Sequence, residues 1–332
     1  MTTRPFDHRP ESDTPGAVMA PQPAGLFLVG AERSGTTMLR LMLGHHPDLA
    51  WQNEFEYAVD RLGDDGTPPA LEAYRSYLGM HRVFRANAYE IDPGLDYSGL
   101  VRSFLGQCRE RAGKPIVGAT VHRHFDRILS VWPDARFIHL VRDPRDVAPS
   151  VIRMGWAGNV YHASERWIGA ERAWDRVADR IAPSRLLELR FEDLLADPRG
   201  QLAHVCAFVG VPYDDAMLSF HEDTSYDPPD PSASQRWSVV LSERDVRLIE
   251  GRLGELAERR GYELSGLPPL HPGLLRRSAL RIQNKVAHVR WNFDRYGVRL
   301  YIRAQLAKRF GSAAAWAGVK RELDEIDRGH LK

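Results

Sequence analysis

Four short apolar runs punctuate the chain, and longer amphipathic stretches separate them. The runs are Leu26-Phe-Leu-Val29, the stretch 114–124 with Ile116, Val117 and Val121, Phe137-Ile-His-Leu-Val141, and Leu186-Leu-Glu-Leu-Arg-Phe191. Their lengths and apolar or β-branched content predict buried strands. Residues 36–43 predict an apolar-rich helix closed by Gly44 and Pro47. Trp167, Ile168, Trp174 and Val177 recur at helical spacing and predict an amphipathic helix over 166–180. A further helix is expected over 201–209, stopped by Gly210-Val-Pro212, and another from 241 to 260, where Ser242 and Asp245 resemble a capping box. Residues 61–113 are mixed: a Pro/Gly/Asp turn cluster at 63–69, then broken helical patterns. Four strands, each followed by a helix, predict an α/β fold: a parallel sheet flanked by helices on both faces. Any ligand would sit at the carboxyl ends of its strands.

The two ends of the chain read differently. Residues 1–24 are rich in Pro, Thr, Asp and Arg, with too few large apolar residues to order themselves, and are expected to form a disordered leader. They lack the apolar core of a signal peptide, and no stretch has the length of a membrane span, so a cytoplasmic protein is expected. Pro268, Pro269 and Pro272 mark a linker between a main domain at 25–265 and a helical extension at 270–332.

Composition changes this picture only at the extension. The 332 residues carry a net charge of +1, which gives no argument for nucleic acid. Cys108 and Cys206 have neither metal-site spacing nor a disulfide framework. Residues 271–332, however, hold 14 Lys+Arg against 5 Asp+Glu, so the remainder is net negative. Leu275, Ala279, Ile282, Val286, Val289, Phe293, Tyr296 and Leu300 form a heptad-like stripe among these cations. Three uses fit the stripe: packing on the main domain, a homodimer, or peripheral contact with an anionic membrane at its inner face.

The chemistry concentrates after the first strand. Gly30 and Gly35 have the spacing of the nucleotide-binding loop G-x-x-x-x-G-K-[ST], and Thr37 stands where that loop needs a hydroxyl. Thr36 occupies the place of the lysine, and a cation appears inside the loop as Arg33. A strand that turns directly into a helix points that helix's first N–H groups into the loop, which suits a phosphate-like group. A kinase or NTPase with an atypical loop, and a non-catalytic nucleotide-binding protein, both remain open on this stretch.

The run Arg33-Ser-Gly-Thr-Thr37 after a strand, with an acidic residue beyond the next helix, resembles sulfotransferases that use 3'-phosphoadenosine-5'-phosphosulfate (PAPS). The resemblance is to the bacterial and tyrosylprotein branch and covers roughly residues 25–263. It implies sulfuryl transfer from PAPS to an acceptor hydroxyl, or to an amine, with no metal. Arg33, Ser34, Gly35, Thr36 and Thr37 would hold the phosphosulfate, with Arg33 neutralising charge on the leaving oxygen. Glu54 would be the general base, since an attacking hydroxyl must lose its proton and a carboxylate in a partly dry pocket is tuned for that task. Arg142, at a strand end, and Ser150, eight residues on, would hold the 3'-phosphate. Phe191 replaces the tyrosine that lies against adenine in the family, and Arg236 would be a third phosphate contact. The family's lysine near Thr120 is missing; His122, close by, is placed to act as a second base or, when protonated, to restore the positive charge. The implied acceptor is a small molecule, carbohydrate or glycolipid.

Overall fold

The computed structural model describes residues 25–329; the leader expected over 1–24 lies outside the described residues. Five strands form one parallel sheet: β1 (Leu26–Val29), β2 (Leu49–Gln52), β3 (Ile116–Val121), β4 (Arg136–Val141) and β5 (Leu186–Arg190), in the order β2-β3-β1-β4-β5. In register, Leu28 lies between Thr120 of β3 and Ile138 of β4. The sheet therefore has one more strand than the apolar runs predict. Leu-Ala-Trp-Gln in β2 is too short and too mixed to announce itself, and it becomes a strand only by pairing with β3, Leu49 with Ile116 and Trp51 with Gly118. Nor is every strand followed by a helix, because β3 leads into a 3-10 turn at Phe125–Ser130.

Period-2 alternation in β1 divides the core. Leu26 and Leu28 pack on one face with Leu39, Met42 and Leu43 of helix α1 (Thr36–His45). Phe27 and Val29 pack on the other with Phe104, Phe137, Trp167 and Trp174. That second face is covered by α2 (Leu71–Met80), α3 (Arg82–Asn87), α4 (Tyr97–Ala112), α5 (Pro144–Arg153) and α6 (Val160–Ala178). Helices α7 (Phe191–Ala196) and α8 (Pro198–Val209) join α1 on the first face. Helix α5 is continuous through Pro149. After a single turn, α9 (Trp237–Val240), the helix expected over 241–260 divides at Gly254 into α10 (Glu243–Leu253) and α11 (Leu256–Arg259). Ser242 caps α10 as the sequence suggests, its Oγ accepting from the Asp245 N–H at 3.2 Å.

The extension forms two helices, α12 (Leu274–Phe310) and α13 (Ala313–Arg328), and α12 turns at Gly297, whose φ is 73° and ψ 153°. It docks through Leu280, Asn284, Ala287 and Trp291. Leu280 is buried, Asn284 Oδ1 accepts from the Gly158 N–H at 2.7 Å, and Trp291 packs over Gly155. Packing on the main domain thus uses the face opposite the heptad-like stripe, and Leu275, Ile282, Val286 and Val289 stay exposed.

Leu28, fully buried at the centre of the sheet, gives a direct test of this arrangement. Leu28→Ala should cost about 2–5 kcal/mol in equilibrium denaturation, whereas Ile302→Ala on the exposed side of α12 should stay within about 0.5 kcal/mol of the parent.

Candidate functional site

The site lies where the connections leaving the sheet diverge. From β1 the chain runs through α1 toward the β2 edge, and from β4 it runs through α5 and α6 toward β5. Neighbouring strands with diverging connections leave a crevice at their carboxyl ends. The loop at residues 30–35 fills the β1 side. Gly30, at φ 153°, lies so close to β4 that a Cβ would collide with the Leu140 carbonyl oxygen. Gly35, at φ 92°, lies against the Phe191 ring, and a Cβ there would enter the ring. Arg33 between them also has positive φ, 74°, where a side-chain-bearing residue is strained.

This geometry leaves the start of α1 open. Gly35, at the N-cap, has no side chain to cap the first N–H groups, and no acidic residue occupies the first turn. Ser34 Oγ is buried and, among the described residues, has no hydrogen-bond partner. An uncapped helix start beside an orphaned buried hydroxyl suits an anion with several acceptor oxygens.

The structure brings Arg33, Arg142 and Ser150 together around that start. Arg33 Nε donates to Ser150 Oγ at 3.0 Å. Arg142 Nη2 donates to the Ala233 carbonyl at 3.0 Å, and its guanidinium lies 4.4 Å from the centre of the Phe191 ring. The Arg142 Nε is buried and, among the described residues, unpaired. Burial pushes both guanidinium pKa values down, against the raising effect of Asp146 and Glu192 at Arg142 and of Tyr226 at Arg33. Two half-desolvated cations with spare donors form a receptor for negative charge. Phe191 is buried between Gly35 and Arg142 and forms the shelf on which both rest. Arg236 is exposed just before α9; the neighbouring Trp237 N–H donates to Asp146 Oδ1 at 2.7 Å and ties this segment to α5.

On the other side of the loop a buried relay meets Thr36. Glu56 Oε1 accepts from the His122 backbone N–H at 3.0 Å and lies 2.6 Å from His122 Nδ1. His122 Nε2 lies 2.9 Å from Thr36 Oγ1. Burial alone would disfavour the imidazolium, but the hydrogen bond and charge of Glu56 outweigh it, and the net effect raises the His122 pKa above its usual 6.5. Burial likewise opposes the Glu56 carboxylate, and the bond to His122 reverses that and lowers its pKa. Both directions favour an imidazolium–carboxylate pair. Nothing in the sequence pattern marks Glu56 beyond its offset of two from Glu54, and only the return of β3 beside it reveals the partner.

Glu54 sits at the mouth of this pocket. Its backbone has a φ of 38°, its side chain is about half exposed, and Arg82 Nη2 lies 3.8 Å from its carboxylate. Its charge acts on His122 and on Arg40. At Thr120, where the lysine is missing, Trp51 Nε1 donates to Thr120 Oγ1 at 2.9 Å. Lys114, two residues ahead of β3, is spent on the carbonyls of Gly44, His46 and Leu49. Arg123 is paired with Asp60 at 2.7 Å.

Comparison with known proteins agrees with this architecture. Residues 23–215 match the model of the Sulfotransferase family. The chain is 29% identical over 256 residues to the omega-hydroxy-beta-dihydromenaquinone-9 sulfotransferase Stf3 of Mycobacterium tuberculosis, a match covering 71% of this chain and 62% of that protein. The chain thus spans less than two thirds of that relative's length. It is 23% identical over 275 residues to protein-tyrosine sulfotransferase 1 of Danio rerio, covering 74% of each. Among solved structures, the sulfotransferase domain from the olefin synthase of Synechococcus PCC 7002 superposes with a TM-score of 0.53 at 23% identity, over 72% of this chain and 94% of that one, and so shares its fold. With a family match over more than half its length, a five-stranded parallel sheet and an open helix start at its centre, the chain belongs to the sulfotransferase family.

Proposed function

We propose that the protein transfers a sulfuryl group from PAPS to the hydroxyl of a small-molecule or lipid acceptor. The observation that carries this reading is the convergence of the uncapped α1 start, the orphaned Ser34 hydroxyl and the Arg33–Ser150–Arg142 group in one crevice. These residues fit a nucleotide with an anionic group at each end: loop amides with Ser34, Thr36 and Thr37 at one end, Arg142 and Ser150 at the other, with Arg236 as a further contact. When bound, PAPS supplies the activated sulfuryl group. The lipid side of the acceptor reading draws support from the menaquinone-type acceptor in the name of the mycobacterial relative.

The chain's own groups then have distinct roles. Glu54 at the pocket mouth accepts the acceptor's hydroxyl proton. Arg33 neutralises negative charge beside the loop. His122, held as an imidazolium by Glu56, supplies the positive charge that the missing lysine would otherwise bring, with Nε2–H donating to Thr36 Oγ1 at the first turn of α1. Positioning and fixed charge carry most of the acceleration in such a site.

Three measurements test this. In calorimetric titration without metal, 3'-phosphoadenosine-5'-phosphate should bind tightly and ADP and ATP weakly, and Ser150→Ala should weaken the first by about tenfold or more. Equal binding of all three nucleotides would return the loop to the NTPases. Glu54→Gln should lower turnover by about 10²–10⁴-fold while nucleotide affinity is kept; normal turnover would remove Glu54 as the base. For the buried pair, the signs run in opposite directions. His122, with its pKa raised, stabilises the fold fully below about 6.5 and less as pH rises through its folded value; Glu56, with its pKa lowered, stabilises fully above about 4.5 and less as pH falls. Imidazole NMR titration should therefore show the His122 pKa falling in Glu56→Gln, with the alkaline limb of turnover moving to lower pH and the alkaline loss of stability shrinking relative to the parent. An unchanged His122 pKa would refute the pairing.

A further inference from the structure

Helix α12 has two apolar faces, and the main domain uses only one. Leu280, Ala287 and Trp291 face the segment at residues 155–159, where Asn159 Nδ2 donates to the Leu280 carbonyl at 2.8 Å. On the opposite side Leu275, Ile282, Val286 and Val289 recur at helical spacing and are 90%, 62%, 61% and 37% exposed. Beyond the turn at Gly297, Val298, Ile302, Leu306 and Phe310 form a second exposed row at intervals of four. Single exposed apolar residues need no explanation, but two rows on one helix do.

The charge around the rows discriminates among occupants. Helix α12 carries ten Lys+Arg and one Asp. On a helical projection Arg281 and Lys285 flank the first row on one side, and Arg276 and Arg290 on the other. The acids of α13 neutralise only part of this charge: Asp327 pairs with Arg295 and Glu322 with Arg303. Among the described residues, Arg276, Arg281, Lys285, Arg299 and Lys308 make no ion pair, and all but the half-buried Arg276 are exposed. A two-fold self-contact would set this cation-flanked stripe against itself, so that like charges meet as the apolar surface is buried. A layer of anionic headgroups over an apolar interior matches both features at once. Among the described residues no helix is long and apolar enough to cross a membrane.

We propose that the outer face of α12 docks on an anionic lipid bilayer, with the apolar rows inserted at the headgroup boundary and the flanking cations on the phosphates. The docked hairpin is tied to both flanks of the Glu54 side of the site. Asn284 holds the segment just ahead of α6, whose Arg166 pairs with Glu32 of the loop at 2.6 Å. Asp324 of α13 holds Arg85 of α3 at 2.8 Å, and Arg82 of the same helix faces Glu54. The docking stands apart from the transfer reading, because it is measured without turnover.

The test is cosedimentation of the full chain with vesicles of phosphatidylcholine alone and of phosphatidylcholine with about one third phosphatidylglycerol. The parent should bind the anionic vesicles, release with rising salt, and ignore the neutral ones. Ile282→Asp combined with Val286→Asp, and separately Arg281→Glu combined with Lys285→Glu, should each weaken binding by about tenfold or more while the thermal midpoint and nucleotide binding stay unchanged. Because these side chains are exposed, both variants should fold, and light scattering should find parent and variants monomeric. Absence of binding to anionic vesicles, equal binding by parent and variants, or a parent dimer that the Asp variant separates into monomers would overturn the proposal, the last in favour of a second copy.

Discussion

The close passage of the β1–α1 loop over β4 is the constraint on which the site depends. Only a residue without a Cβ can run against the Leu140 carbonyl at position 30, and only such a residue fits against the Phe191 ring at position 35. Between these fixed points the loop has no slack, and Arg33 is held at positive φ with its side chain aimed at Ser150. The strain at Arg33 is maintained by packing on both sides. Its result is a helix start whose N–H groups face the crevice instead of a cap.

Charge is then arranged around that start from three different strands. β1 contributes Arg33 through its loop, β4 ends at Arg142, and β3 ends at His122. Each cation is anchored by a different device. Arg33 leans on a hydroxyl, Arg142 on an aromatic ring and a carbonyl, and His122 on a buried carboxylate. Desolvation explains why the two guanidinium groups are shifted toward neutrality, while the imidazole, hydrogen-bonded to the buried Glu56 carboxylate, is shifted toward charge. An incoming polyanion would relieve the two guanidinium groups, and that is the physical sense in which the crevice is made for one.

The extension follows a different logic. One side of α12 is committed to the main domain by specific contacts from Leu280, Asn284 and Trp291. The other side combines apolar rows with cations that are only partly neutralised, Arg281, Lys285, Arg299 and Lys308 making no ion pair among the described residues. A surface of this kind is costly to leave in water and would set like charges against each other in a two-fold contact, and these two properties are the ground for proposing an anionic, partly apolar partner.

The strand–loop–helix run at 26–43, the phosphate-type loop, and the Arg142–Ser150 spacing are local in the chain, so the sequence alone determined them, together with a parallel α/β sheet covered on both faces. Short glycine-punctuated runs carry their meaning within a few residues, because backbone sterics and helix ends act locally. What lay beyond the sequence was decided at long range. Strand β2 exists because β3 pairs with it, and Glu56 matters because β3 returns His122 to its side. Phe191 becomes a shelf because α7 starts beneath Gly35. Which stripe of α12 faced the core was likewise undecidable from periodicity, since both faces are apolar and only the shape of the 155–159 segment selects between them. Pairing, partnership and choice of face depend on residues tens to more than a hundred positions apart, and only the folded chain brings those together.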